Sequence, residues 1–446
     1  MAERSQDAQG FAKKTAISFA TNVLVLFANL VAGILIARLL GTDGKGAYAL
    51  ITGYAIVIYS LVSISMSNSV TFHIGRYQWP AAKTYLAALL VSWGALGLFI
   101  GLARIVGAEF IMQRTLLTPE TFHFLGIVVV AGLPLMLVYQ IGSATLRGRE
   151  LIVAMSWPTM VAYLVRLSLV AGLLLLWRRH LSSVVIAELA AWCVWALLVV
   201  AALKGALRRW PAAQGTFSLK KLVCYGFQNQ CTDLLHMLFQ RADLFLINYL
   251  VGQSGAGIYS LSINTSDLAV FATIAVTTVL FPRLALLEAP QRRQWAERLH
   301  RMQTFIGFAS GAFIVLLTCL IPYVYGQSFA PAVVPAIIRV VGTFVWGSVQ
   351  VMRHLAITEE KIYIHNIAML TSLIGLVAMD WVLIPRLGLT GAALAYAVSI
   401  WVAYAIDAIL LWRLLDLRMW THFVATKEDV ALVVASVRKM LPTRAA

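Results

Sequence analysis

The sequence predicts an all-α, polytopic membrane protein, and three observations predict it. Of its 446 residues, 61% are hydrophobic and 12% charged, against roughly 45–50% and about 25% in a soluble domain, so most helices must be apolar all round. The apolar residues fall into about twelve runs of about twenty, the length that crosses a bilayer core, near 15-38, 47-72, 84-106, 121-145, 152-177, 182-204, 222-251, 257-281, 302-325, 332-355, 362-384 and 389-412. The basic residues alternate between sides: twenty-five lie in the loops that share a side with both termini and seven in the others. That bias puts both termini in the cytoplasm and leaves Arg166, Arg241 and Arg339 inside spans.

Taken in order, the first span follows a polar stretch ending at Lys14 and shows no small-x-small cleavage pattern, so it reads as a membrane helix rather than a removed signal peptide. Six spans make an N-terminal lobe, 1-206. A cytoplasmic interfacial linker, 207-221, follows, where Arg208, Arg209, Trp210 and Pro211 suit the headgroup region. Six more spans make a C-terminal lobe, 222-416, with a longer cytoplasmic loop from Arg283 to Arg301. The tail, 417-446, opens a capping-box variant at Thr426 and then spaces Val430, Val433, Val434, Val437 and Leu441 by three or four. An amphipathic helix on the inner surface is expected there.

The net charge of +16 is dispersed in short clusters between apolar runs, which suits anionic lipid headgroups and not nucleic acid. Cys193, Cys224, Cys231 and Cys319 lack CxxC spacing and a nearby His cluster, and read as packing residues without metal or cofactor. Gly41-Thr42-Asp43-Gly44-Lys45-Gly46 lacks the spacing of a nucleotide-binding loop.

An internal repeat is the strongest long-range signal. Gly41-x-x-Gly44-x-Gly46-x-Tyr48-x-Leu50 returns as Gly252-x-x-Gly255-x-Gly257-x-Tyr259-x-Leu261, an offset of 211 residues. The same offset places Ser18, Asn22 and Asn29 of the first span on Asn229, Asp233 and Gln240 of the seventh. Duplication of a six-span unit explains both, and six spans per copy make the halves parallel, related by an axis along the membrane normal.

Function candidates follow from the cost of polar groups in lipid. Asn229, Asp233, His236, Gln240 and Asp243 are spaced by four, three, four and three, and so share one helix face. That face must meet protein or water, because a polar group in hydrocarbon costs several kcal/mol. Either the helix is buried with its polar atoms bonded to neighbours, or it lines a hydrophilic cavity opposite Asn22 and Asn29. His236 is either a packing residue or a proton carrier. The arginines would each cost roughly 2.5–3.5 kcal/mol at a helix centre and need acids or water. Arg241, close to Asp243, reads equally as a structural pair. Arg166 and Arg339 lack a local acid and read as cations in a cavity, where a guanidinium grips phosphate oxygens; Asp233, Asp243, Asp267, Asp380, Asp407 and Glu188, in or near spans, are the acids that could instead neutralise the arginines.

Short patches along the chain, Ile36-Ala37-Arg38-Leu39-Leu40-Gly41, Leu146-Arg147-Gly148-Arg149, Arg241-Ala242-Asp243, Phe281-Pro282-Arg283 and Ile384-Pro385-Arg386-Leu387-Gly388, together with their order, carry a resemblance. The chain resembles the polysaccharide or lipid-linked oligosaccharide flippases of the multidrug/oligosaccharidyl-lipid/polysaccharide exporter superfamily. The resemblance implies two MATE-like six-helix lobes around a cavity open alternately to each side, in a bacterial inner membrane, moving an undecaprenyl-diphosphate-linked glycan outward. Its partners would be that glycan, membrane lipids, H+ or Na+ as coupling ion, and a glycan polymerase or other envelope-assembly protein. A drug or cation exporter of the same superfamily is the alternative within transport. A membrane glycan polymerase, ligase or acyltransferase is the alternative outside it, although the longest outer loop, Arg104 to Glu120, has no His/Asp catalytic cluster.

Overall fold

A computed structural model of the chain describes residues 2–208, 215–285, 289–359, 361–415 and 417, with the side chains of 2–16, 18–19 and 274–294 excepted. The predicted amphipathic tail beyond Leu417, residues 209–214 of the 207-221 linker and the side chain of Ser18 lie outside the described residues. Every regular element among those described is helical.

The helices are α1 (Ala2–Ser63), α2 (Met66–Tyr77), α3 (Ala81–Val106), α4 (Ala108–Thr115), α5 (Pro119–Ile127), α6 (Leu133–Gly148), α7 (Ile152–Gly172) and α8 (Leu181–Leu207). After the linker come α9 (Leu219–Leu250), α10 (Gln253–Ala285), α11 (Ala289–Thr318), α12 (Ile321–Tyr325), α13 (Val333–Gly342), α14 (Trp346–Thr358), α15 (Tyr363–Leu387) and α16 (Leu389–Leu415). Short π turns, Val128–Gly132 and Leu173–Trp177, join α5 to α6 and extend α7. The first precedes Pro134, whose missing N–H favours a wider turn.

Among the described residues nine helical stretches are long and apolar enough to cross a membrane, making this a multi-pass membrane protein. One of them, Ala20–Ser63, has 44 residues. At 1.5 Å per residue it would reach about 66 Å, twice a hydrocarbon core of about 30 Å. The chain solves this by folding back at Gly41, where φ 69° and ψ −167° break α1 into two limbs. The polar stripe keeps α9, with 32 residues, out of the nine.

The repeat is visible in the backbone. Its first glycine has a positive φ in both copies, 69° at Gly41 and 103° at Gly252, a conformation that glycine adopts without steric cost. Its third glycine marks a close helix approach: a Cβ on Gly46 would lie 2.0 Å from the carbonyl oxygen of Gln253, and one on Gly257 would lie 2.0 Å from that of Thr42. Thr42 and Gln253 are themselves equivalent under the repeat, so the two copies of the motif meet reciprocally.

The described residues form two compact units, one of Ile17–Gly257 and one of Ile258–Ala446 with Met1–Ala16. The first unit therefore reaches past the 207-221 linker and takes in α9, because α9 is bonded to α2 and its neighbours. Ser69 Oγ donates to Leu222 O at 2.7 Å, and Gln230 Nε2 donates to Ser60 O at 2.8 Å. The four cysteines are exposed rather than packed inside, Cys319 in the turn between α11 and α12.

Candidate functional site

In the first unit, α1, α7 and α8 converge on one charged cluster. Arg166 of α7 donates from Nε to Glu188 Oε1 of α8 at 2.6 Å, from Nη1 to Asn29 Oδ1 at 2.5 Å and from Nη2 to the Tyr48 hydroxyl at 2.6 Å. Tyr48 in turn donates to Glu188 Oε1 at 2.5 Å. The salt-bridging side chains are only 10% and 8% exposed, so neither charge could stay there alone. Arg166 is thus neutralised by an acid 22 residues further on, and the expected free cation is instead one half of an ion pair.

The cluster lines a cavity of about 190 Å³ whose other wall is aromatic: Tyr139, Tyr163, Trp192 and Trp195. Tyr139 and Trp195 stack with ring centroids 3.9 Å apart, and Tyr163 meets Trp195 edge-on at 5.5 Å. Gly132 at the π turn lets α8 come close, since a Cβ there would sit 2.6 Å from the Trp192 ring. The space suits waters or one small polar group; drug-sized ligands fill roughly 300–1,000 Å³.

Part of the stripe on α9 fastens the break between α1 and α2. Ile64 and Ser65 both have φ 48°, a conformation that a β-branched residue adopts only when its surroundings impose it. Asp233 ties down the second of these residues: its carboxylate accepts from Ser65 Oγ, and from Asn68 Nδ2 at 2.9 Å. Gly226 adds to the clamp, because a Cβ on it would meet Ile64 O at 2.6 Å. Asn229 turns back to its own helix, donating to Tyr225 O at 2.9 Å. His236 and Gln240 continue the stripe half-buried, and Asn22 on α1 is exposed. Arg241 is half-buried, with its Nε buried and without a hydrogen-bond partner among the described residues. Asp243 is fully buried and its Oδ1 accepts from the Leu244 N–H at 2.8 Å.

Arg339 of α13 belongs to the second unit and is 1% exposed. It donates from Nε to Ser266 Oγ at 3.1 Å and from Nη1 to the Tyr259 hydroxyl at 2.9 Å, and its guanidinium lies 3.6 Å from the centroid of the Tyr396 ring. Like Arg166, it is held by partners within its own unit. Both arginines hold the same repeat residue, Tyr48 in one copy and Tyr259 in the other. Those tyrosines were visible in the repeat, but no local rule assigned them a role. Among the described residues no group of three or more His, Cys, Asp or Glu is placed to hold a metal ion.

The sequence matches the polysaccharide biosynthesis protein family over residues 34–334. No curated protein matches it at a significant level. Solved structures share the fold: the inward closed conformation of the lipid II flippase MurJ aligns with a TM-score of 0.68 at 11% identity, over 97% of this chain and 93% of that one. The inward-facing conformation of a multidrug resistance MATE family transporter of the MOP superfamily aligns at 0.62 and 14% identity, over 97% and 100%. The MATE multidrug transporter DinF-BH, solved as a complex, aligns at 0.68 and 14% identity, over 92% and 96%.

Proposed function

We propose that this chain, which belongs to the polysaccharide biosynthesis protein family, is a transporter that moves a lipid-linked oligosaccharide or polysaccharide from the cytoplasmic to the outer leaflet by alternating access. The observation that carries this reading is the conjunction of that family with a fold shared, over 97% of this chain, with a lipid II flippase. A polyprenyl-diphosphate carrier is the ligand class, common to glycans of any sequence. The net charge of +16 favours such an anion at a membrane surface. On this reading the protein sits in a bacterial inner membrane with both termini cytoplasmic, serves lipopolysaccharide or exopolysaccharide assembly, and hands its cargo to a glycan polymerase. It performs no chemistry on the glycan.

The site on this reading comprises polar and cationic groups that become available as the helices rearrange. Asn22, Asn29, Asn229, His236, Gln240 and Arg241 are its candidates, with Arg166 and Asp233 holding the helices that present them, while Arg339 ties α13 to α10 and α16 within the second unit. The test is reconstitution into vesicles with a fluorescent short-chain polyprenyl-diphosphate sugar, its leaflet position read by quenching from outside. Protein-dependent equilibration between leaflets is expected. Absence of movement, with accumulation of a cationic dye in the same vesicles, would instead identify a drug exporter.

A further inference from the structure

The second unit holds a titratable pair that the reading above leaves without a role. His365 lies in the first turns of α15, and its Nδ1 is 2.9 Å from Asp407 Oδ2 of α16. Both residues are 0% exposed. Each keeps its outer polar atom, His365 Nε2 and Asp407 Oδ1, buried and without a hydrogen-bond partner among the described residues. A buried polar network normally satisfies such atoms, so two orphans on one pair call for a cause.

The surroundings are rich in exchangeable protons. Three residues before Asp407, on the same helix face, Tyr404 hydroxyl meets His300 Nε2 of α11 at 3.0 Å. One turn on from His300, Thr304 Oγ1 meets Ser348 Oγ of α14 at 2.7 Å. From α14, His354 is close enough for its charge to interact with that of His365, and Arg353 adjoins it. From α13, Arg339 lies over the Tyr396 ring of α16, eleven residues from Asp407. Lys361, four residues before His365, donates to Leu414 O at 3.3 Å.

The geometry points to an exchangeable proton-binding site at His365–Asp407, whose occupancy is tied to how α14 packs on α15 and α16. With neutral His365 donating to an ionised Asp407, the site carries a buried negative charge. One added proton makes it neutral overall, either as imidazolium with carboxylate or as imidazole with carboxylic acid. A dry site therefore keeps the proton. Approach of the Arg353 guanidinium, or entry of water beside Nε2 and Oδ1, stabilises the ionised state and lets the proton leave to water. The site rests on its own geometry, and only its use for driving transport depends on the proposed function.

The test separates the two. Full-length protein in lipid nanodiscs, without any glycan, is titrated between about pH 5 and about pH 8 and followed by infrared difference spectroscopy. A protonated-carboxyl band that vanishes in Asp407→Asn, and whose midpoint moves in His365→Gln, is the expected result. If Asp407→Asn does not fold, the His365→Gln midpoint decides alone. A band intact in Asp407→Asn, a His365→Gln midpoint equal to wild type, or no titrating carboxyl at all overturns the site. In vesicles, both variants should flatten the dependence of lipid-sugar movement on a pH gradient, making the rates with and without it equal. A titrating site with unchanged gradient dependence would overturn the tie to transport.

Discussion

Arg166→Gln removes the cation from a salt bridge whose members are 10% and 8% exposed. Glu188 is then left without its partner in a site with little water. Breaking a buried pair in this way costs about 3–5 kcal/mol. Arg166→Gln combined with Glu188→Gln removes both charges, so the remaining loss is that of hydrogen bonds to Asn29 and Tyr48, at about 0.5–1.5 kcal/mol each. The single variant should lose more stability than the double one. Their coupling should exceed about 1.5 kcal/mol, within the range for residues of one network. Denaturant unfolding in detergent micelles, followed by tryptophan fluorescence, measures it, since Trp192 and Trp195 line the same cavity. Arg166→Lys should recover only part of the loss, because an ammonium cannot present three fixed donors to Glu188, Asn29 and Tyr48. In cells, Arg166→Gln should lose surface glycan together with the protein itself, and adding Glu188→Gln should restore both. Wild-type stability in Arg166→Gln, with strictly additive effects of the two substitutions, would refute the reasoning and leave Arg166 free to meet an anionic substrate.

Three further outcomes are expected. Gly46→Ala and Gly257→Ala each drive a Cβ to 2.0 Å from a backbone carbonyl oxygen, costing about 1–3 kcal/mol by overpacking; because one helix separation relieves both, the double variant should cost less than the sum in melting experiments. Asp233→Leu should destabilise by about 1–3 kcal/mol, since Ser65 and Asn68 lose their acceptor, whereas Asp233→Asn should retain most of it, as read by denaturant midpoints. With the four exposed native cysteines replaced, a cysteine at Thr118 should react with an impermeant maleimide from outside the cell and one at Arg208 only after permeabilisation. In that background, a cysteine at exposed Asn22 should react with a small hydrophilic reagent and one at Leu244, 1% exposed, should not.

Much of this architecture is written in the chain itself. Fold class follows from composition, because a chain that is 61% hydrophobic has no means of covering its apolar surface in water. The repeat is equally legible: glycine at Gly41 and Gly252 is demanded by a positive φ, and at Gly46 and Gly257 by backbone contact, and both demands act on single positions. The partners of the charges were not legible. Arg166 finds Glu188 across two helices, Asp233 finds Ser65 more than 160 residues away, and His365 finds Asp407 from a neighbouring helix. Helical periodicity fixes which residues share a face, but which face meets which is settled by packing among many helices of similar hydrophobicity. For that reason the sequence alone determined that these groups had to be hidden from lipid, and only the tertiary structure decided that Arg166 is paired with Glu188 and that both arginines bond to the tyrosines of the repeat. A buried charge must be matched, and its match is chosen by distance in space rather than along the chain.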